Sequence, residues 1–119
     1  DLPGNDFSAL FKRLQGMLPM DPIGISNVDR IFPLASGTSF YRQVVPSGTL
    51  AIGFSATAMH WMSTLPGRIT GHVHSVGAKD AEYDAFRAVS LRDWESILLH
   101  RAAELRPGGW LVMANFCID

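Results

Sequence analysis

Cysteine is almost missing from this chain. The single thiol, Cys117, excludes an internal disulfide and agrees with a reducing, cytoplasmic setting. Long hydrophobic runs are missing too: none approaches the ~20 apolar residues of a membrane span, and no signal-peptide pattern is present, so no membrane partner is expected. Excess charge of one sign is absent, with 10 Lys and Arg against 11 Asp and Glu and a net charge of −1. Without a basic block to gather phosphates, no nucleic-acid partner is expected either. No internal repeat or low-complexity tract occurs, and the first residue is Asp1, not methionine. What the chain does have is 47% hydrophobic and 18% charged residues in 119, enough for one small globular domain and not two.

Periodicity and turn chemistry predict alternating helices and strands. Phe7, Leu10, Phe11, Leu14 and Leu18 recur at helical spacing behind the capping candidates Asn5 and Asp6, predicting a helix over Asp6–Met17, with Gly16 near its end. Asp21–Asp29 reads as a loop. Arg30-Ile31-Phe32 reads as a short edge strand limited by Pro33. Thr49–Phe54 is mostly apolar, as expected of a parallel strand buried on both faces, and a short helical turn carrying His60 and Trp61 follows. Asp80–Ala88 reads as a short helix with Tyr83 and Phe86 inward. A second helix, Leu91–Leu105, is predicted from a capping-box-like Ser90-Leu91-Arg92-Asp93 and the stripe Trp94, Ile97, Leu98, Ala102, Leu105, with Arg92, Glu95, Arg101 and Glu104 elsewhere. Pro107-Gly108 fits the centre of a type II turn, and Trp110–Phe116 reads as a second buried strand. The fold class is α/β, and the helix–turn–strand at the end reads as half a βαβ unit.

Candidate chemistry gathers after the first strand. In open α/β sheets ligands sit at the carboxyl ends of strands, where this chain places Ser55, Thr57, His60 and Trp61. Two hydrogen-bonding rings there suit a small molecule, though a Trp after a strand also serves as rim or core packing. Ser36-Gly37-Thr38-Ser39-Phe40-Tyr41 is either a plain turn with aromatics packed back or a second binding segment. His72 and His74 alternate with valine, but no acidic or cysteine cluster completes a metal site, so both read as solvent-exposed.

Four segments, in order, resemble one family. Asp1-Leu2-Pro3-Gly4-Asn5-Asp6-Phe7 resembles the acidic loop of the SABATH-type carboxyl methyltransferases, which use S-adenosylmethionine on salicylate, benzoate or jasmonate and include the caffeine-pathway N-methyltransferases. Ser39-Phe40-Tyr41 with Pro46 resembles the family's Gly-Ser-Phe-Tyr segment. Ser55–Trp61 resembles its Ser-Ser-Tyr-Ser-Leu-His-Trp run, and Arg101–Val112 its following helix, turn and strand.

The resemblance implies a partial Rossmann-like class I methyltransferase fold, mostly parallel sheet with flanking helices. It implies Asp1 at the ribose of the cofactor, where a carboxylate accepts from two adjacent hydroxyls, with Leu2 against the adenosine. Ser39 and Phe40 are implied at the adenine, and His60 and Trp61 at the acceptor carboxylate, with Thr57 a third acceptor-site position. The implied partner is a small carboxylic acid, or an amine in the N-methylating branch. Thr57 stands where the plant enzymes have Tyr, Thr38 where Gly is usual, and Arg42-Gln43 where Gly-Arg is usual, which favours a divergent, bacterial-like branch.

The family's glycine-rich cofactor loop lies upstream of the acidic loop, and further strands and the cap lie downstream of the matched segments. Residues 1–119 are therefore expected to be an internal fragment of one methyltransferase domain, inactive by itself. In the family's sheet the missing first strand sits beside Thr49–Phe54, so this strand is expected to have an open edge. The alternative expectation is a non-catalytic module that pairs through that edge with another polypeptide, a homodimer being the simplest form.

Overall fold

The computed structural model describes residues 4–17 and 29–116, and it divides into two compact units, Asp1–Ser39 and Phe40–Asp119. Asp1, Leu2, Leu18, Cys117 and nearly all of the expected 21–29 loop lie outside the described residues.

In the first unit, helix α1 spans Ser8–Leu14, shorter at both ends than expected. Phe7 takes the N-cap position, but the expected capping residue Asp6 still accepts the Ser8 amide at 2.7 Å. Two reversed hydrogen bonds stop the helix: Gly16 N–H donates to the Arg13 carbonyl and Met17 N–H to that of Lys12. This pattern needs a left-handed residue after the cap, and Gly16 supplies it at φ 67°. Arg30-Ile31-Phe32 is not a strand. It is irregular, with Phe32 82% exposed, because Pro33 lacks the N–H and no strand among the described residues pairs with it.

The second unit is a complete β–α–β crossover. Strand β1 spans Leu50–Ala56, helix α2 spans Asp80–Glu104 and strand β2 spans Leu105–Ala114, and the two strands pair in parallel. Where two helices were expected there is one of 25 residues. No Gly or Pro lies between Asp80 and Arg106, so nothing breaks the hydrogen-bond ladder, and Ser90 sits in mid-helix where a cap was expected.

The inward face of α2 also differs from the expected stripe. Phe86, Val89, Asp93, Ile97, Arg101 and Glu104 are buried, while Tyr83, Leu98 and Ala102 are exposed and Trp94 and Leu105 half-buried. Arg101 and Glu104, expected outward, face inward because each finds partners there that replace water.

The register explains the end of the crossover. Leu50 pairs with Leu105, but Ile52 pairs with Trp110, so Arg106–Gly109 bulge out of the ladder. Gly108 has φ 77°, as the third residue of a type II turn requires. A Cβ on Gly109 would lie 2.9 Å from the carbonyl oxygens of both Arg106 and Leu50, so only glycine lets the strands approach there.

The strands are not buried on both faces as expected. Ile52, Phe54 and Trp110 are 66%, 73% and 72% exposed, since the described residues give this pair a single crossover helix, enough for one face. Their partners on the other face, Gly53, Ser55 and Leu111, are half-buried. No helix among the described residues is long and apolar enough to cross a membrane.

Candidate functional site

At the carboxyl end of β1 the chain turns abruptly. Thr57 donates its N–H to the Ala114 carbonyl at 2.7 Å, extending the ladder by one bond, and then adopts φ 52°. A β-branched residue is strained there, and such strain collects at functional turns. A turn closed by Trp61 N–H on the Ala58 carbonyl follows, in place of the expected helical turn. Met59 is buried beneath it, while His60 and Trp61 stay exposed. Their rings stack with centroids 5.6 Å apart, and Phe116, just past β2, meets the His60 ring edge-on at 5.5 Å. The carboxyl ends of both strands thus share one aromatic cluster.

His60 and Trp61 border a cavity of about 700 Å³, closed further by Leu65, Arg68, His72 and His74. Its lining carries one guanidinium, three imidazoles and no carboxylate. Thr57 is not part of that lining. His72 and His74, expected on one side of an extended segment, lie in an irregular stretch where the His74 amide donates to His72 Nδ1 at 3.0 Å. No group of three His, Cys, Asp or Glu side chains among the described residues is placed to hold a metal.

Helix α2 holds the surrounding backbone. Asp93 accepts the Ser63 amide at 2.8 Å and its hydroxyl at 2.6 Å, fixing the chain two residues beyond Trp61. Ser96 Oγ donates to the Tyr41 carbonyl at 3.0 Å. Arg101 donates to the carbonyls of Phe40 at 2.9 Å and Arg42 at 2.8 Å, and to both oxygens of Glu104 at 2.6 Å. Glu104 in turn accepts the amides of Val44 and Val45. Two opposite charges, 7% and 0% exposed, thereby satisfy four backbone groups of the 40–45 segment. Burial pushes the Glu104 carboxyl up, but the hydrogen bonds and positive charge of Arg101 with the two amides outweigh it, so it titrates below its ordinary range.

Tyr41 joins the two held segments. Its ring lies 4.4 Å from that of Phe40, and its hydroxyl donates to the Trp61 carbonyl. Burial and the Asp93 charge raise the phenol above 10.0, so it remains a donor through the neutral range.

Of the expected cofactor positions, Asp1 and Leu2 lie outside the described residues. Ser39 closes the first unit and Phe40 opens the second, both half-buried. Phe40 has its carbonyl held by Arg101. Asp93, Ser96, Arg101 and Glu104 were not legible as part of the site. The available signal was their spacing with Phe86, Val89 and Ile97, which puts them on one helical face. Asn115, also missed, has a buried side-chain oxygen with no hydrogen-bond partner among the described residues, at the carboxyl end of β2.

A parallel β–α–β unit with a cavity beyond the carboxyl end of β1, walled by imidazole and indole, defines an α/β protein. The chain belongs to the SAM dependent carboxyl methyltransferases, whose family model matches residues 1–119. It is 30% identical to gibberellic acid methyltransferase 2 of Arabidopsis thaliana, over 93% of this chain and 30% of that protein. Identity to the O-methyltransferase acrG of Aspergillus aculeatus is 36%, over 96% of this chain and 28% of that protein. Among solved structures, a loganic acid methyltransferase with SAH superposes with a TM-score of 0.68 at 25% identity, over 95% of this chain and 31% of that one. The chain therefore spans about 30% of the length of the relatives it matches, and the methyltransferase fold expected from the resemblance is what the superposition returns.

Proposed function

We propose that the protein carrying these residues transfers a methyl group from S-adenosylmethionine to a carboxylate oxygen of a small organic acid, giving the methyl ester. The observation that supports this most directly is the cavity bordered by His60 and Trp61, whose lining offers cationic and N–H groups and no carboxylate to repel an anion. Asp1, Leu2, Ser39 and Phe40 would hold the cofactor, whose sulfonium supplies the activated methyl group. His60 and Trp61 would hold the acceptor, with Thr57 setting the turn that delivers them.

The acceptor is ionised at pH 7 and needs no general base. One carboxylate oxygen bonds to the methyl carbon as the carbon–sulfur bond breaks, its electron pair staying on sulfur, and no proton moves. The protein's work is alignment and exclusion of water from the nucleophile. Trp61 suits this, since an indole N–H donates and never accepts. Because the chain spans about 30% of its relatives, we read it as one segment of a longer, cytoplasmic methyltransferase domain, with methyl transfer depending on the other segments.

The test is transfer of labelled methyl from S-adenosylmethionine by the full-length protein to gibberellic acid, indole-3-acetate and loganic acid, with related acids and amines beside them. Labelled ester is expected. Trp61→Phe is expected to raise the acceptor KM about 10-fold with kcat little changed, as when a charge-assisted hydrogen bond made equally in ground and transition states is lost. Label in amines alone would overturn the carboxylate assignment. Failure to bind S-adenosylmethionine would overturn the whole proposal. The exposed apolar face of Ile52, Phe54 and Trp110 supports a second reading, a non-catalytic module that pairs through its sheet.

A further inference from the structure

We propose that Tyr41 is a positioning residue that couples cofactor binding to the acceptor site. The inference rests on the proposed assignment of Phe40 to the adenine and Trp61 to the acceptor. Phe40 and Tyr41 are neighbours in sequence and their rings are in contact, 4.4 Å apart at 35°. Whatever packs on Phe40 therefore restricts Tyr41.

The backbone around Tyr41 is already fixed. Arg101 holds the carbonyl before it and the carbonyl after it, at Phe40 and Arg42, and Ser96 holds its own. With its main chain tied at three consecutive residues, the freedom left to Tyr41 is that of its side chain. That side chain ends on the Trp61 carbonyl. On the far side of Trp61, Asp93 ties down Ser63. The Trp61 turn thus hangs between a fixed point on α2 and the phenol, so ordering the phenol orders the turn.

The consequence is thermodynamic. A cofactor that immobilises the Phe40 ring meets in advance part of the ordering cost of the acceptor turn, so cofactor and acceptor bind with positive coupling. By reciprocity, a bound acceptor tightens the cofactor by the same factor. Tyr41 makes no contact with reacting atoms in this scheme. It acts through Trp61, and the atom that matters is its hydroxyl oxygen.

S-Adenosylhomocysteine alone is a sufficient probe. Backbone hydrogen exchange of the full-length protein should slow at residues 59–63 when S-adenosylhomocysteine binds, by about 3- to 10-fold, the scale of one net hydrogen bond. Tyr41→Phe keeps the ring against Phe40 and should bind S-adenosylhomocysteine with nearly unchanged affinity, yet lose that slowing. In turnover assays it should raise the acceptor KM by a similar factor, and raise the S-adenosylmethionine KM by that same factor at saturating acceptor although S-adenosylhomocysteine alone binds as before, a split that a general loss of stability does not produce. Retained slowing in Tyr41→Phe overturns the inference, as does binding to the parent protein with no slowing at 59–63. If the parent protein fails to bind S-adenosylhomocysteine at all, the cofactor assignment falls and this inference falls with it.

Discussion

Glu104 has no exposed surface, yet it is a carboxylate, and its place in the molecule follows from the partners that make its burial tolerable. Removing one member of a buried ion pair leaves the other desolvated and unpaired, at a cost of about 3–5 kcal/mol. Arg101→Met is therefore expected to lower stability by about that amount in urea unfolding, more than Leu98→Ala on the exposed side of the same helix. Glu104→Gln probes the charge. The folded carboxyl titrates below its ordinary 4.5, so its stabilisation is complete above that pH and is lost as the pH falls through the folded value. As the pH falls below about 4.5 the parent should lose stability more steeply than Glu104→Gln, which lacks this proton-binding step. At this scale the sequence is least legible. Arg101 and Glu104 look like residues of a solvated helix face, and the four backbone groups that justify their burial lie about sixty positions away.

For the elements, legibility follows the strength of local signals. Gly16 and Gly108 act through their own positive φ angles, so the end of α1 and the turn that bulges out of β2 come directly from the sequence. The break expected at Ser90 fails because a capping-type residue biases the chain only where the ladder ends for another reason, and nothing ends it between Asp80 and Glu104. The most exacting backbone position is Gly109. Gly109→Ala would drive a methyl to 2.9 Å from two carbonyl oxygens, a clash that side-chain rotation cannot relieve. The expected cost is about 1–3 kcal/mol, as for overpacking in general. Amide exchange should rise in the Ile52–Trp110 ladder and not in α1.

On the scale of the whole molecule, the exposed apolar face of β1 and β2 separates the two functional readings. If these residues act as a pairing module, sedimentation equilibrium of the 119-residue chain should show self-association that Phe54→Lys and Trp110→Lys abolish. A monomer with both native residues in place sinks that reading and leaves methyl transfer unopposed. The parallel pairing was legible because β1 and β2 are apolar and separated by a helix. Their exposure was not, because apolar runs report what a strand can bury and carry no record of what covers it.

The helix that ties down the 40–45 segment and Ser63 leaves the intervening cavity wall largely alone. Residues 65–75 meet α2 at the surface through Thr70, whose amide and hydroxyl both donate to Glu82, and Leu65, Arg68, His72 and Val73 are all exposed. Substitutions at Leu65, Arg68 and Val73 draw little on the fold, whereas the His72 ring accepts the His74 amide. Under the proposed function, this wall could change while the frame behind Phe40 stays constant. On the proposed assignment, the preferred acid would change with residues of one loop while the cofactor contact would rest on one helix.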